Sequence, residues 1–201
     1  MEIKQAVFVT SIGQISQMKD FGKPEIAIAG KSNVGKSSFI NFIANNKSLA
    51  KTSSTPGRTR LINYFELNKS FMLVDLPGYG FAKVGGEDKD SWDKLIGSYL
   101  TTSLELAGVA LLVDIRHDPS PLDLHMAAYL EHYGKPYFII ATKSDKLSRA
   151  QMNKQLDMIS KAFNKDKSEI VPTSSLNKTG KELVLEKIET LINNFNKNRE
   201  V

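Results

Sequence analysis

Apolar positions along the chain fall into short runs separated by polar or Gly- and Pro-containing segments, and runs of strand period alternate with runs of helix period. Ile26-Ala27-Ile28-Ala29 is apolar without interruption, so Glu25–Ala29 is predicted as a strand buried on both faces. Phe39, Ile40, Phe42 and Ile43 then recur at helical spacing within Ser37–Asn45. Leu61–Leu67 and Phe71–Leu76 flank Asn68-Lys69-Ser70, the pattern of an antiparallel hairpin. Further strands are predicted at Val109–Val113, Tyr137–Ala141 and Glu169–Pro172, and helices at Asp88–Thr102, Leu122–Tyr133, Gln151–Phe163 and Lys181–Phe195. Glu2–Ser11 reads as extended, Lys47–Arg60 as a polar loop and Asn193–Val201 as a fraying end. Strands alternating with helices imply an α/β fold: a mostly parallel six-stranded sheet with one antiparallel strand and helices on both faces. Ligands of such a sheet bind at the carboxyl ends of its strands.

Composition narrows the setting. With 201 residues, 41% hydrophobic, the chain has the size of one or at most two domains, and one is expected. No apolar run approaches the ~18 residues that span a bilayer, and Met1-Glu2-Ile3-Lys4 lacks the layout of a signal peptide, so a cytoplasmic protein is expected. The absence of cysteine excludes disulfides, thiolate metal sites and a cysteine nucleophile. Net charge is +5, with an uneven distribution. Ile26 to Phe65 carries six basic residues and no Asp or Glu, and Lys146 to Val201 carries eleven Lys and Arg against seven Asp and Glu. Such faces attract a polyanion and suit RNA as a second partner, although Lys-rich solvated helices would give the same composition.

The chemistry lies where the predicted strands end. Gly30-Lys31-Ser32-Asn33-Val34-Gly35-Lys36-Ser37 fits G-x-x-x-x-G-K-[ST] directly after the first buried strand, the pattern of a phosphate-binding loop. The two glycines let backbone N–H groups point at phosphate oxygens, and the following helix adds its positive end. Lys36 would reach the β- and γ-phosphates and Ser37 would ligate Mg2+. Asp75-Leu76-Pro77-Gly78 follows the second hairpin strand. Asp75 would hold a water of the Mg2+ shell, and the Gly78 amide would donate to the γ-phosphate. Thr142-Lys143-Ser144-Asp145 follows the strand Tyr137–Ala141. A carboxylate at Asp145 can accept from guanine N1–H and its exocyclic amine, donors that adenine lacks at those places. The Lys143 stem can lie along the base plane. Ser174-Ser175-Leu176 follows the last strand, with the Ser175 N–H in reach of guanine O6.

The order of these motifs, together with the Thr-rich loop between the first two, resembles the TrmE/Era/EngA/YihA/septin GTPases. More closely, Ser32 to Ser38, Thr55-Pro56-Gly57-Arg58-Thr59, and Asp75 to Ala82 with Trp92 resemble the EngB (YihA/YsxC) family, over about residues 6 to 195. The resemblance implies a single G domain with a core of about 23–195, binding GTP and GDP with Mg2+. It assigns Thr59 as the threonine that closes on Mg2+, with Thr52 and Thr55 nearby as competitors. Gly57, Arg58, Thr59, Arg60 and Leu61 then join the nucleotide-contacting residues. Arg58 and Arg60 would contact phosphates of nucleotide or RNA, or else stay solvated. Tyr79 to Asp90 would be the second switch. Tyr79 stands where Ras-type enzymes place a water-orienting Gln, so slow intrinsic hydrolysis is expected. Two compensating routes follow: a K+ ion held by Asn33, against a local hydrogen-bonding role for that side chain, or a partner acting in trans. The biological role implied is assembly of the large ribosomal subunit through its precursor and rRNA, with a tie to cell division and septation, by a monomer. The alternatives are a P-loop small-molecule kinase or ATPase, and a division-complex module in which hydrolysis is incidental.

Overall fold

A computed structural model describes residues 1–51, 61–80 and 86–199; side chains of residues 86–93 fall outside that description. Seven strands form one sheet: β1 (Ala6–Ile12), β2 (Glu25–Gly30), β3 (Ile62–Leu67), β4 (Phe71–Asp75), β5 (Leu106–Asp114), β6 (Tyr137–Thr142) and β7 (Ile170–Pro172), in the spatial order β1-β3-β4-β2-β5-β6-β7. The helices are α1 (Lys36–Ile43), α2 (Gly86–Thr102), α3 (Pro121–His132), α4 (Arg149–Phe163) and α5 (Lys181–Arg199). Both β1 and β4 run antiparallel to β3, and the other pairings are parallel, so β3 alone opposes the rest.

The expected six-stranded sheet is therefore corrected to seven. Residues 6–12 are extended, as expected, but they also add a ladder to the free edge of β3. A bulge between Phe8 and Thr10 re-phases that ladder. Asn68 anchors the approach to β1: its Oδ1 accepts from the Lys4 and Gln5 amides at 2.8 and 3.2 Å, and its Nδ2 donates to Glu2 O at 2.6 Å. Asn68 and Lys69 both adopt positive φ, the conformation that turns the β3–β4 hairpin where the sequence placed it.

β2 shows why the sheet is covered on both sides. Ile26 and Ile28 pack with Phe39, Ile40 and Ile43 of α1 and Val184, Leu185 and Ile188 of α5. Ala27 and Ala29 face the other way, into a layer built from Ile96, Tyr99 and Leu100 of α2, Met126 and Leu130 of α3, and Ile159 and Phe163 of α4. Alternation along a strand buried on both faces is what turned its sequence into one apolar run. Local signals set the helix starts. Ser120 and Asp123 form a capping box at α3 with Pro121 in its first turn, and Ser148 and Gln151 form one at α4.

A second correction concerns the C-terminal end. α5 continues through Asn193 to Arg199 rather than fraying. Arg199 pairs with the buried Glu105 at the start of the β5 region, and its guanidinium lies 5.3 Å from the Phe195 ring. Polar composition hid a tail pinned at its last described turn.

Candidate nucleotide-binding site

β2, β4, β5, β6 and β7 deliver the motifs to one edge of the sheet, the edge at which their carboxyl ends lie. The loop after β2 turns through Asn33 at φ +64° and Gly35 at φ +107° before α1 begins at Lys36. Gly30 admits no side chain, because a Cβ there would lie 2.9 Å from Val34 Cγ1 and 3.0 Å from Leu112 O. The segment after β4 packs directly on this loop. Ser32 N–H donates to Tyr79 O at 2.8 Å, and a Cβ on Gly78 would meet Lys36 Nζ at 2.9 Å and the Ser32 backbone at 3.1 to 3.2 Å. Gly78 is thus required by close approach of two backbones.

Asp75 and Lys36 face each other across this junction. Burial raises the Asp75 carboxyl above its ordinary range, with Lys36 and a hydrogen bond from Asn63 opposing the shift. Burial likewise lowers Lys36, opposed by Asp75. Each charge is held in a place that favours its neutral form, an arrangement that a polyphosphate and a cation would stabilise. Asn63 Nδ2 donates to Asp75 Oδ2 at 3.3 Å, whereas Oδ1 is buried with no hydrogen-bond partner among the described residues. A buried carboxylate oxygen with no protein donor fits a water of a Mg2+ shell, and Ser37 in the first turn of α1 would offer it a second oxygen. Among the described residues no cluster of three or more His, Cys, Asp or Glu could hold a metal. That donor set suits Mg2+ completed by phosphates and waters better than an all-protein cage.

The Asp145 end of the site is organised by residues the sequence reading did not combine. Ser174 Oγ donates to Asp145 Oδ1 at 2.7 Å and accepts from the Asn177 amide at 3.0 Å. With Lys146 also beside it, this hydrogen bond keeps the Asp145 carboxyl below its ordinary range. Ser174 itself is buried, while Ser175 and Leu176 are exposed. Lys143 adopts positive φ, and its Nζ donates to Asn33 O at 3.1 Å and to Asp114 Oδ2 at 2.8 Å, so its stem spans from the β6 end to the phosphate loop. Thr142 Oγ1 lies 3.0 Å from both Val34 O and Val113 O. Ser144 N–H donates to Thr173 O at 3.0 Å. Asp114 also binds Arg116 through both carboxylate oxygens, at 2.7 and 2.9 Å. Burial pushes its carboxyl up, yet Arg116 and Lys143 more than offset this and hold it well below the usual range. The sequence predicted a strand only to Val113, and Asp114 is the residue that ends β5.

Tyr79 departs from a catalytic geometry. Tyr79 is 6% exposed, and its hydroxyl donates to Asp123 Oδ1 at 2.7 Å, tying the segment after β4 to the capping box of α3. Burial foremost, and Asp123 after it, push the phenol far up. Leu61 borders the N-terminal segment, with Cδ2 3.1 Å from where a Cβ on Gly13 would sit. Leu76 is buried and donates its N–H to Ile28 O at 3.1 Å, and Pro77 lies between it and Gly78. Gly57, Arg58, Thr59 and Arg60, with their competitors Thr52 and Thr55, lie outside the described residues, as do residues 81–85 and the Trp92 side chain.

A family model described as 50S ribosome-binding GTPase matches residues 25–143. The probable GTP-binding protein EngB of Clostridioides difficile is 44% identical over 98% of this chain and 96% of its own length, and that of Clostridium perfringens is 49% identical over 90% and 93%. The chain belongs to the EngB family of GTPases. It binds and hydrolyses GTP, which removes the kinase and ATPase alternatives. A solved probable GTP-binding protein engB superposes with a TM-score of 0.71 at 23% identity, covering 85% of this chain and 99% of the other. Era in complex with MgGDPNP and a 16S ribosomal RNA fragment gives 0.65 at 23% identity, covering 84% and 56%. At that identity both likenesses speak to the fold alone.

Proposed function

We propose that the whole chain is one EngB-type G domain that works as a slow, Mg2+-dependent GTP switch in the cytoplasm. The observation that carries the reading is the carboxylate of Asp145, held by Ser174 beside Lys143 at the same sheet edge as the Lys36, Asp75 and Gly78 junction. Asp145 would accept from guanine N1–H and the 2-amino group, with Ser144, Ser175 and Leu176 around the base. Guanine would give Asp145 two donors that adenine lacks there, and covering the carboxylate without them costs about 1–3 kcal/mol, which is about 5- to 160-fold in affinity.

At the phosphate end, amides of Asn33, Gly35 and Lys36 would face the β-phosphate, while the Ser32 and Val34 amides are held by Tyr79 O and Lys31 O, and Lys36 would neutralise charge at the β- and γ-oxygens. Ser37, Thr59 and the free oxygen of Asp75, through water, would hold Mg2+. The cation would supply charge neutralisation and geometry for the phosphoryl group. Gly78 N–H would report whether a γ-phosphate is present. Gly57, Arg58, Arg60 and Leu61 would line the nucleotide with Thr59.

Slow intrinsic hydrolysis is supported by Tyr79, whose hydroxyl is committed to Asp123. A positive group at the transition state can restore about 10³ to 10⁵ in rate. Asn33, exposed at the bend of the loop, is the proposed K+ ligand. The basic segments and the family description support RNA of the large-subunit precursor as partner; a role in division and septation, and action as a monomer, complete the proposal.

Calorimetric titration with GDP and ADP, in Mg2+ buffer with K+ or Na+, tests the nucleotide reading. GDP alone should bind, and Asp145→Asn should move preference to XDP. ADP binding as tightly as GDP would refute it. For the biological reading, depletion followed by sucrose-gradient profiling should show abnormal large subunits before any division defect, and the reverse order would favour the division-complex module.

A further inference from the structure

Three adjacent strands place a row of polar side chains against the site. Ser11 of β1 stands opposite Asn63 of β3, and Asn63 stands opposite Asp75 of β4. Residues directly opposite in a ladder share a face, so the three form one row across the sheet. The row is hydrogen-bonded throughout: Ser11 Oγ donates to Asn63 Oδ1 at 2.6 Å, and Asn63 Nδ2 donates to Asp75 Oδ2 at 3.3 Å.

The direction of these bonds is dictated by chemistry. An ionised carboxylate only accepts, so the Asn63 amide must turn its NH2 toward Asp75 and its carbonyl toward Ser11. A flipped amide would set two oxygens against each other, and the Ser11 hydroxyl favours the productive orientation by satisfying the carbonyl. Oδ2 is thereby occupied, and Oδ1 is the carboxylate oxygen left buried without a partner. Fixing one oxygen orients the other.

β1 reaches this position through its bulge. The register shift between Phe8 and Thr10 sets the phase in which Ile12 is buried and Ser11 faces Asn63. β1 is also the edge strand, with no neighbour on its outer side in the sheet of described residues.

We propose that Asn63, oriented by Ser11, is the positioning residue for Asp75, and that the N-terminal edge strand thereby sets how tightly Mg2+ and nucleotide are held together. The proposal rests on the reading of Asp75 as the residue that holds Mg2+ through water. Groups that orient metal-binding residues typically account for about 10- to 100-fold in metal affinity. Asp75 acts through water and the Asn63 link is long, so an effect of about tenfold is expected here.

The test compares the full chain with Asp75→Ala, Asn63→Leu, Asn63→Asp and Ser11→Ala, measuring GDP and non-hydrolysable GTP-analogue binding over a series of free Mg2+ concentrations and in EDTA. The Mg2+ midpoint should move up about tenfold for Asn63→Leu, further for Asn63→Asp, and about threefold for Ser11→Ala, with GDP affinity in EDTA unchanged. Movement for Asp75→Ala but not for Asn63→Leu would overturn the relay while leaving the Mg2+ reading intact. No movement for Asp75→Ala would overturn both. Equal losses in EDTA and in Mg2+ would show general damage to the fold and would also overturn the relay.

Discussion

Removing the Ser174 hydroxyl should lower affinity for guanine nucleotides without touching the phosphate site. Ser174 is 1% exposed and donates at 2.7 Å to Asp145 Oδ1, so Ser174→Ala leaves the volume almost unchanged and frees the carboxylate to rotate. Re-ordering one freed side chain on binding costs about 0.5–1.5 kcal/mol, which is about 2- to 12-fold in affinity. GDP should weaken by that factor and ADP not at all, so selectivity narrows by the same amount. The lost bond also held the Asp145 carboxyl below its ordinary range, and on the proposed reading the ionised form is the one that would accept from guanine. GDP affinity should therefore survive acidification until the folded carboxyl protonates, and in Ser174→Ala that acid limb should move to higher pH. Calorimetry from pH 7 down to about pH 3, past the ordinary carboxylate value, reads both effects. The Asn177 amide loses its acceptor as well, so urea unfolding serves as a control for general destabilisation of about 1 kcal/mol. Equal weakening of GDP and ADP, or an unmoved acid limb, would refute the reasoning.

Other consequences are as direct. Gly78→Ala forces a Cβ against the Ser32 backbone, an overpacking of about 1–3 kcal/mol, and should weaken a non-hydrolysable GTP analogue about tenfold in equilibrium titration, with GDP less affected. Tyr79→Phe deletes a buried hydrogen bond to the Asp123 carboxylate and should cost about 1.5–3 kcal/mol in urea unfolding, while GDP affinity in EDTA stays within twofold. Asp114 is held well below the ordinary carboxylate range when folded, so its contribution is complete above the unfolded value, about pH 3.9, and disappears as pH falls toward the folded one. Asp114→Asn should cost about 1 kcal/mol from pH 7 to pH 5, a deficit that shrinks below about pH 4 in denaturant titrations.

The central strands were legible because burial on both faces leaves an uninterrupted apolar run, as in Ile26 to Ala29, and the site motifs sit where such runs stop. β1 was legible as extended chain but not as part of the sheet. Its ladder depends on a bulge and on Asn68, and neither leaves a periodic trace. The last turns of α5 read as loose because their anchor, Glu105, lies 94 residues away. Distance hid the supporting residues too. Ser174 is 29 residues from Asp145, and Asp123 is 44 from Tyr79, so each pair is a product of the fold rather than of any local pattern. Asn63 had no signal of its own, being one polar position on a strand whose apolar residues are buried on both faces.

The order in which a ribosome releases this chain gives the Ser174 to Asp145 bond another meaning. Synthesis proceeds from the N-terminus, and β2 with its phosphate loop emerges long before β7. A nascent chain that has reached α4 already carries every residue of the phosphate junction, and it also carries Asp145, but not the hydroxyl that restrains it. On the proposed reading of Asp145, the restraint on its carboxylate is thus the last part of the site to be completed. It is completed only when Ser174 arrives behind β7, and α5 then follows to close one face of the sheet. A polypeptide released before that point would lack both this restraint on Asp145 and the α5 residues that cover Ile26 and Ile28 of β2.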